Sequence, residues 1–178
     1  HTYAADVTRS YAANDGDFAA LIAGMESLQL QLCAQVRNGV DYANIHLDAH
    51  QRIASLLHDS GVITMTAPEA VTSGLSSVFF PHGLGHLLGL QVHDVVGFSV
   101  DAKGTRKAPP AGHPYLRLTR TLEPGFVVTI EPGLYFIDML LDAARDSAHG
   151  KHINWRRVEE FRPYGGIRVE DNVACTAG

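Results

Sequence analysis

The residues best suited to chemistry lie in one short stretch, FPHGLGHLLGLQVHD, at positions 80–94. It contains His82, His86 and His93, separated by glycines and apolar residues. His82 and His86 have the i, i+4 spacing of zinc-protease histidines on a helix, but that motif needs a glutamate directly after the first histidine, and Gly83 stands there. Three glycines in seven residues also argue against a helix.

An extended or bulged strand therefore fits this stretch better. In a strand, His82 and His86 share one face because their separation is even. His93 lies an odd number of residues from His86, so it faces the same way only if a bulge near Gly89 re-aims it. The alternative is a glycine-rich turn that leads into a core strand and carries solvated histidines. Residue types alone leave both interpretations open.

Three carboxylates occupy positions where a lone charge would be costly. Asp6, Glu131 and Glu170 each lie in or at the end of an apolar stretch, and buried carboxylates are normally paired with cations or bound to metal. For each residue alone, a strand-end acid that reaches water is an equally good interpretation. Together with one histidine they form a hard, oxygen-rich ligand set, which suits manganese, cobalt, iron or catalytic zinc better than a structural zinc site.

Helices and short strands are predicted to position these residues. Apolar periodicity predicts helices over 17–36, 41–59, 68–76, 138–144 and 153–161. Extended structure is predicted over 1–11, 126–130 and 134–136 and in the final GGIRVEDNVAC, and Ala4, Asp6 and Thr8 are expected on one face of the first of these. The polar stretch 99–114, rich in proline and glycine, is expected to be a long surface loop at the rim of a site. Three histidines fall in a polar helical pattern and are expected on the surface: His46, His50 and His58.

Composition indicates one globular domain with a sizeable core, because the 178 residues are 46% hydrophobic and 19% charged, with a formal charge of −5. No run of Lys and Arg could track phosphates, so no nucleic-acid partner is expected. No apolar stretch approaches membrane-spanning length and no signal peptide opens the chain, so we expect no membrane partner and a cytoplasmic location. Cys33 and Cys175 fit no metal spacing and are expected to be reduced, buried thiols.

Three motifs occur in one order: HGLGHLLGLQVHD, TLEPGFVVTIEPGLYFI and GGIRVEDN. With them, essentially the whole chain resembles the C-terminal catalytic domain of proline dipeptidases (Xaa-Pro dipeptidases, prolidases), which are pita-bread metallopeptidases together with aminopeptidase P and methionine aminopeptidase. YAADVTRSY, GHPYLRLTRTLEPG and HINWRRVEEFRPYGG resemble the prolidase branch in particular. The resemblance implies an α+β pita-bread fold, with a curved mixed β-sheet flanked by helices, and it implies that residues 1–178 form a partial metallopeptidase catalytic domain.

The resemblance also implies a metal-ligand set. Asp6 and Glu170 would bridge two divalent ions, and His86 would be the single histidine ligand. Glu131 would be both a ligand and the proton shuttle. The ions are expected to be Mn²⁺, with Co²⁺, Fe²⁺ or Zn²⁺ as alternatives.

Three further residues, His82, His93 and Arg117, match substrate-pocket positions in the family. His93 would contact the substrate and steady the tetrahedral intermediate, and His82 would be a further catalytic pocket histidine. Arg117 would bind the free carboxylate of the C-terminal proline, which suits guanidinium geometry. Arg168 is expected to support Glu170, although an ordinary cross-strand ion pair is an equally good interpretation.

The implied activity is hydrolysis of Xaa-Pro dipeptides by a hydroxide that bridges the two ions, with release of proline. Alternatives are an aminopeptidase P-like or organophosphate-hydrolysing relative, or a non-catalytic pita-bread binding module. The resemblance implies a homodimer for the intact protein.

The chain opens as if in the middle of a strand. We therefore expect that an N-terminal domain, and the family's first metal-binding aspartate with it, are absent from this sequence. On that expectation, the fragment binds at most one ion well and is poorly active.

Overall fold

A computed structural model describes residues 3–101 and 103–177. Besides two short 3₁₀ helices (Gly150–His152 and Arg162–Tyr164), the regular structure of this part of the chain consists of six α-helices and four short strands. In chain order they are α1 (Asp17–Cys33), α2 (Tyr42–Asp59), α3 (Ala67–Ser73), α4 (Ser76–Phe79), β1 (Val127–Ile130), β2 (Gly133–Tyr135), α5 (Asp138–Arg145), α6 (Trp155–Phe161), β3 (Gly166–Arg168) and β4 (Asp171–Ala174). The prediction of an α+β fold is confirmed.

The helices agree with the apolar periodicity, with two adjustments at their ends. α1 stops at Cys33, and the chain continues in tight turns in which Val36 N donates to Cys33 O, so Val36 stays buried although it is not helical. The helix predicted over 68–76 is divided at Gly74, whose φ of 84° ends α3 in the left-handed conformation that glycine favours. None of the helices described is long and apolar enough to cross a membrane.

α2 lies at the centre of the helical layer, where it packs against α1, α3 and α4. Its N-terminus is capped by Asp41, whose side chain accepts a hydrogen bond from Ala43 N at 3.0 Å. One face buries Ile45, Ala49 and Ile53 completely. Because α2 is central, polar residues on its other faces are buried as well.

The surface location predicted for His46 and His50 is wrong. Each is only 1% exposed, because a second face of α2 packs against Phe80 and the loop that carries His113. A neutral imidazole packs like a small aromatic ring, and burial lowers the pKa of His46 to about 2 and that of His50 to about 3, so both rings are neutral. The third histidine of this pattern, His58, is exposed as predicted.

The strands form two antiparallel pairs, β1 with β4 and β2 with β3. Single antiparallel bridges add two extended segments, with Leu87 opposite Val128 and Thr8 opposite Glu170. Every pairing in the described ranges is antiparallel, so the β-structure there is a set of short antiparallel ladders. The expected sheet contained parallel pairs as well. The strand predicted over 126–130 is confirmed, and Val128, Thr129 and Ile130 are fully buried.

The N-terminal segment is extended, as predicted. From residue 3 to residue 10, exposed and half-buried positions alternate, and Ala4, Asp6 and Thr8 share the half-buried face. The first two residues of the predicted range 1–11 lie outside the described residues. The stretch 99–114 contains no helix or strand in its described part, in agreement with the predicted loop, and Ala102 within it also lies outside the described residues.

The histidine-rich segment runs beside β1 in extended form over 84–88. Leu84 O accepts from Glu131 N at 2.9 Å, and His86 O accepts from Thr129 N at 3.0 Å. This close approach explains one of the glycines, because a Cβ on Gly85 would collide with Thr129 and with the Tyr42 hydroxyl. The extended interpretation is therefore confirmed for 84–88, where His86 is 2% exposed, whereas His82 is half-buried and His93 is exposed.

Replacing Gly85 with alanine should destabilise the fold by about 1–3 kcal/mol, the usual cost of forcing extra atoms into a packed core. The colliding atoms include the Thr129 backbone, which cannot move without disturbing β1. Gly24→Ala is the matched control, because its new Cβ meets only the flexible end of Leu56 and alanine favours the helix. Urea unfolding of both variants tests the expectation, and equal stabilities would contradict it.

Candidate metal centre

Four side chains from separate parts of the chain converge beside β1. His86 Nε2 lies 3.7 Å from Asp6 Oδ2 and 3.4 Å from Glu131 Oε1. One ligand atom from each of Asp6, His86 and Glu170 lies within 4.8 Å of the other two. The structure therefore brings together the four residues that were predicted as metal ligands.

The hydrogen bonds of His86 leave one ring nitrogen free for a cation. Its Nδ1 lies 3.1 Å from Leu87 O, and a carbonyl oxygen can only accept, so Nδ1 carries the proton. Burial lowers the pKa of His86, which keeps the ring neutral and Nε2 unprotonated. Nε2 is buried without a hydrogen-bond partner among the described residues, and the same is true of Glu170 Oε1. Two buried acceptors without donors in one cluster fit a bound cation.

Burial and mutual repulsion disfavour the ionised form of the Glu131 and Glu170 carboxylates. Burial, and after it the charge of Glu170, raise the pKa of Glu131 to about 7 against the opposing effect of the Arg168 guanidinium. Burial also raises the pKa of Glu170, against a hydrogen bond of 2.8 Å from the Thr8 hydroxyl to its Oε2. A divalent cation between these groups would relieve the repulsion without protonating them.

Arg168 contacts Glu131. The sequence had predicted that it would support Glu170. Its Nη1 donates to Glu131 Oε2 at 3.0 Å, its Nε to the Tyr135 hydroxyl at 2.7 Å and its Nη2 to His82 Nε2 at 3.0 Å. His82 can accept because its Nδ1 donates to Gly83 O at 2.8 Å and burial lowers its pKa to about 4. Arg168 thus fixes one oxygen of Glu131 and leaves the other to face His86.

Tyr135 is a site residue that the sequence interpretation missed. Its hydroxyl accepts from Arg168 and lies 3.1 Å from His82 Nε2. Spacing gave no signal for it, because Pro132 interrupts the extended structure between Glu131 and Tyr135.

A cavity of about 660 Å³ opens in front of the cluster. Its lining includes the remaining predicted residues, His82, His93 and Arg117. The ring of His93 stands edge-on to that of His86, with 4.3 Å between centroids. The bulge that was predicted to bring His93 to this side is replaced by a turn. In this turn Asp94 N donates to Leu87 O at 3.1 Å, which folds the chain back over the strand.

A second group of histidines lies behind this cavity, next to a smaller one of about 250 Å³. Ring nitrogens of His46, His50 and His113 approach within 4.8 Å of one another. Leu84 N donates to His46 Nδ1 at 3.3 Å, so His46 Nε2 must carry the proton that it donates to His113 Nδ1 at 3.0 Å. Both nitrogens of His46 are thereby engaged. The group is a hydrogen-bonded cluster that supports Leu84, and this proton arrangement leaves no lone pair on His46 for a metal.

The fold is the pita-bread fold of metallopeptidases. Residues 1–177 match metallopeptidase family M24, and the chain belongs to that family. It is 60% identical to the Xaa-Pro dipeptidase of Stenotrophomonas maltophilia strain K279a, over 100% of this chain and 40% of that protein. It is 57% identical to the Xaa-Pro dipeptidase of Xanthomonas campestris pv. campestris strain B100, over 100% of this chain and 41% of that protein.

Solved structures of aminopeptidase P share the fold. Zinc-substituted Escherichia coli aminopeptidase P in complex with product is 27% identical, with a TM-score of 0.69 over 98% of this chain and 33% of that one. Pseudomonas aeruginosa aminopeptidase PepP gives a TM-score of 0.69 at 23% identity, over 99% of this chain and 34% of that one. The chain spans about 40% of the length of the curated relatives named above.

In the metal-free protein, replacing Glu131 with glutamine should flatten the dependence of stability on pH. Folding raises the Glu131 pKa from an ordinary 4.5 to about 7, so the folded state binds more protons between these values. Stability is therefore favoured below about pH 4.5 and lost as the pH rises through about 7, by up to about 3 kcal/mol.

Denaturant unfolding from pH 4 to pH 8 with a chelator present measures this effect as the difference between wild type and Glu131→Gln. Glu26→Gln, at an exposed position of α1, removes the same charge and is the control. Parallel pH profiles for wild type and Glu131→Gln would contradict the expectation.

Proposed function

We propose that this chain forms part of the catalytic domain of a metal-dependent Xaa-Pro dipeptidase. The observation that carries the proposal is a pair of buried acceptors, His86 Nε2 and Glu170 Oε1, which cluster with Asp6 and have no hydrogen-bond partner within residues 3–101 and 103–177. Leaving such groups without partners costs about 1–3 kcal/mol each, which a bound cation would recover. Identity of 57–60% to Xaa-Pro dipeptidases over the whole chain supports the substrate class.

Asp6, His86, Glu131 and Glu170 would hold the metal. Oxygen ligands with one imidazole suit Mn²⁺, and also Co²⁺, Fe²⁺ or Zn²⁺. Such ions, when bound, lower the pKa of water and polarise a peptide carbonyl. We propose one well-bound ion per chain of this sequence and two in the intact enzyme.

Glu131 is the proton carrier of the proposed reaction. Its pKa of about 7 in the metal-free protein supports this role, because a general base must be able to take up and release a proton near neutral pH. Arg168 donates to Oε2, which fixes the carboxylate with Oε1 towards His86 and the proposed ion. The proton would pass from the attacking water to the proline nitrogen as the peptide bond breaks.

The cavity residues would bind the two ends of the reacting group. His93 lies beside His86, where its ring N–H could donate to the oxyanion that develops from the scissile carbonyl. His82, fixed by Tyr135 and Arg168, lines the cavity as a second contact. Arg117 on the same wall would pair with the carboxylate of the C-terminal proline, which favours dipeptides over longer peptides.

Three alternative functions of the same fold can be distinguished from the proposed one by experiment. Aminopeptidase P, the name carried by the solved structures, and the organophosphate-hydrolysing relatives would use the same ligands on other substrates. A metal-free binding module would have no use for four converging ligands, so their joint presence favours an enzyme. The proposal includes a cytoplasmic homodimer as the intact form.

Calorimetric titration with Mn²⁺ should show one well-bound ion, and His86→Ala should abolish it, because the only neutral ligand of the cluster is lost. His58→Ala, on an exposed part of α2, is the control and should bind like wild type. Mn²⁺-loaded protein should release proline from Gly-Pro, slowly in this chain, and a chelator should stop it. Failure of the wild type to bind Mn²⁺, Co²⁺, Fe²⁺ or Zn²⁺ would refute the proposal.

Arg117→Met should weaken binding of Gly-Pro to the Mn²⁺-loaded protein about 10–100-fold, the usual value of a hydrogen bond between charged groups. Gly-Pro amide lacks the carboxylate, so wild type and variant should bind it equally. Calorimetry with the two ligands on the two proteins completes the cycle. An equal loss for both ligands would show that Arg117 does not recognise the carboxylate.

A further inference from the structure

One buried polar side chain on α1 reaches the back of the candidate metal centre. Gln29 is 1% exposed, although it lies on the face of α1 that otherwise buries apolar residues. Its Nε2 donates to Asp171 Oδ2 at 2.9 Å and lies 3.4 Å from Ile130 O and 3.2 Å from Cys33 Sγ. An apolar side chain of similar length would fill this space, so the amide is there for its hydrogen bonds.

The two strand residues that Gln29 contacts are cross-strand partners. Ile130 in β1 pairs directly with Asp171 in β4. Glu131 follows the first of them and Glu170 precedes the second. Because side chains alternate along extended chain, Asp171 faces α1 while its neighbour Glu170 faces the metal centre. Gln29 therefore joins the two strands at the point where each presents its carboxylate.

Asp171 extends the connection to the N-terminal segment. Its Oδ1 accepts from Arg9 Nη2 at 2.6 Å, while Arg9 Nη1 donates to Glu170 O at 2.6 Å. The neighbouring Thr8 pairs with Glu170 through its backbone and its hydroxyl. Asn172, with its amide oriented to match, donates to Asp6 O at 2.7 Å. One carboxylate thus links α1 to the segment that carries Asp6.

We propose that Gln29 is a positioning residue for the metal ligands, acting through Asp171. By holding Asp171 from α1, it fixes the direction of Glu170 and of the N-terminal segment bound to it. This inference rests on the proposed metal-binding function, since the ligands it positions are those of the proposed site. Groups that orient metal ligands without touching the ion typically contribute 10–100-fold to metal affinity.

The test replaces Gln29 with methionine, which keeps the length and apolar volume and removes the donor. Gln31→Met is the matched control, since Gln31 lies on the exposed face of the same helix. The first measurement is Mn²⁺ affinity by calorimetry on the purified protein. We expect Gln29→Met to lose about tenfold or more, and Gln31→Met to bind like wild type.

The second measurement is amide hydrogen exchange in the metal-free protein. Glu170 N, which donates to Thr8 O at 2.9 Å, should exchange faster in Gln29→Met than in wild type. Leu122 N, which donates to Val40 O at 2.8 Å away from the site, serves as the internal reference. A purely structural role would lower thermal stability and raise exchange at both amides while Mn²⁺ affinity stayed unchanged.

The outcomes separate this inference from the proposed function. Wild type that binds no metal refutes the proposed function, and exchange at Glu170 N then decides whether Gln29 positions this segment. Unchanged Mn²⁺ affinity in a folded Gln29→Met overturns the inference and leaves the proposed function intact. If Gln29→Met does not fold, Asp171→Asn tests the same connection at a side chain that is 32% exposed, and unchanged affinity there also overturns it.

Discussion

Repulsion among carboxylates in a buried space is the constraint on which the rest of this structure depends. Asp6, Glu131 and Glu170 meet around the unprotonated nitrogen of His86, and burial and mutual charge raise the pKa of Glu131 to about 7 and that of Glu170 above its usual value. A cluster of this kind is unfavourable unless protons, a guanidinium or a metal ion compensate it. Arg168 compensates part of it from one side, and the remaining lone pairs face the space that a cation would fill.

The surrounding elements hold these groups in place against that repulsion. β1 and its two neighbours carry His86, Glu131 and Glu170 on short antiparallel ladders, and glycine at position 85 lets the histidine segment approach β1 closely. Thr129 contributes twice, because its hydroxyl accepts from His86 N at 2.9 Å and donates to Glu131 Oε1 at 3.2 Å. The helices stand behind this layer and bury its apolar side.

Much of this arrangement could be predicted from the sequence. Periodicity located the helices, and three motifs were enough to assign the family and to name candidate metal ligands, whose side chains lie close together in the structure. The errors concern long-range packing. His46 and His50 were expected on the surface because a polar pattern does not reveal that α2 is covered on a second face. The partner of Arg168 and the part played by Tyr135 depend on how β2 turns back onto β3, which local spacing does not encode.

The residues of the centre also come from distant parts of the sequence, since Thr8 and Glu170, which are hydrogen-bonded, lie 162 positions apart. Closing so long a loop costs conformational entropy before any contact repays it, so contacts of this kind form late in folding. The centre is therefore completed only when the segment that carries Asp6 has docked against the segment that carries Glu170. An ion bound there would stabilise the folded state as a whole, because an unfolded chain offers no such site. Metal supply would then govern how long the protein survives proteolysis as well as whether it is active.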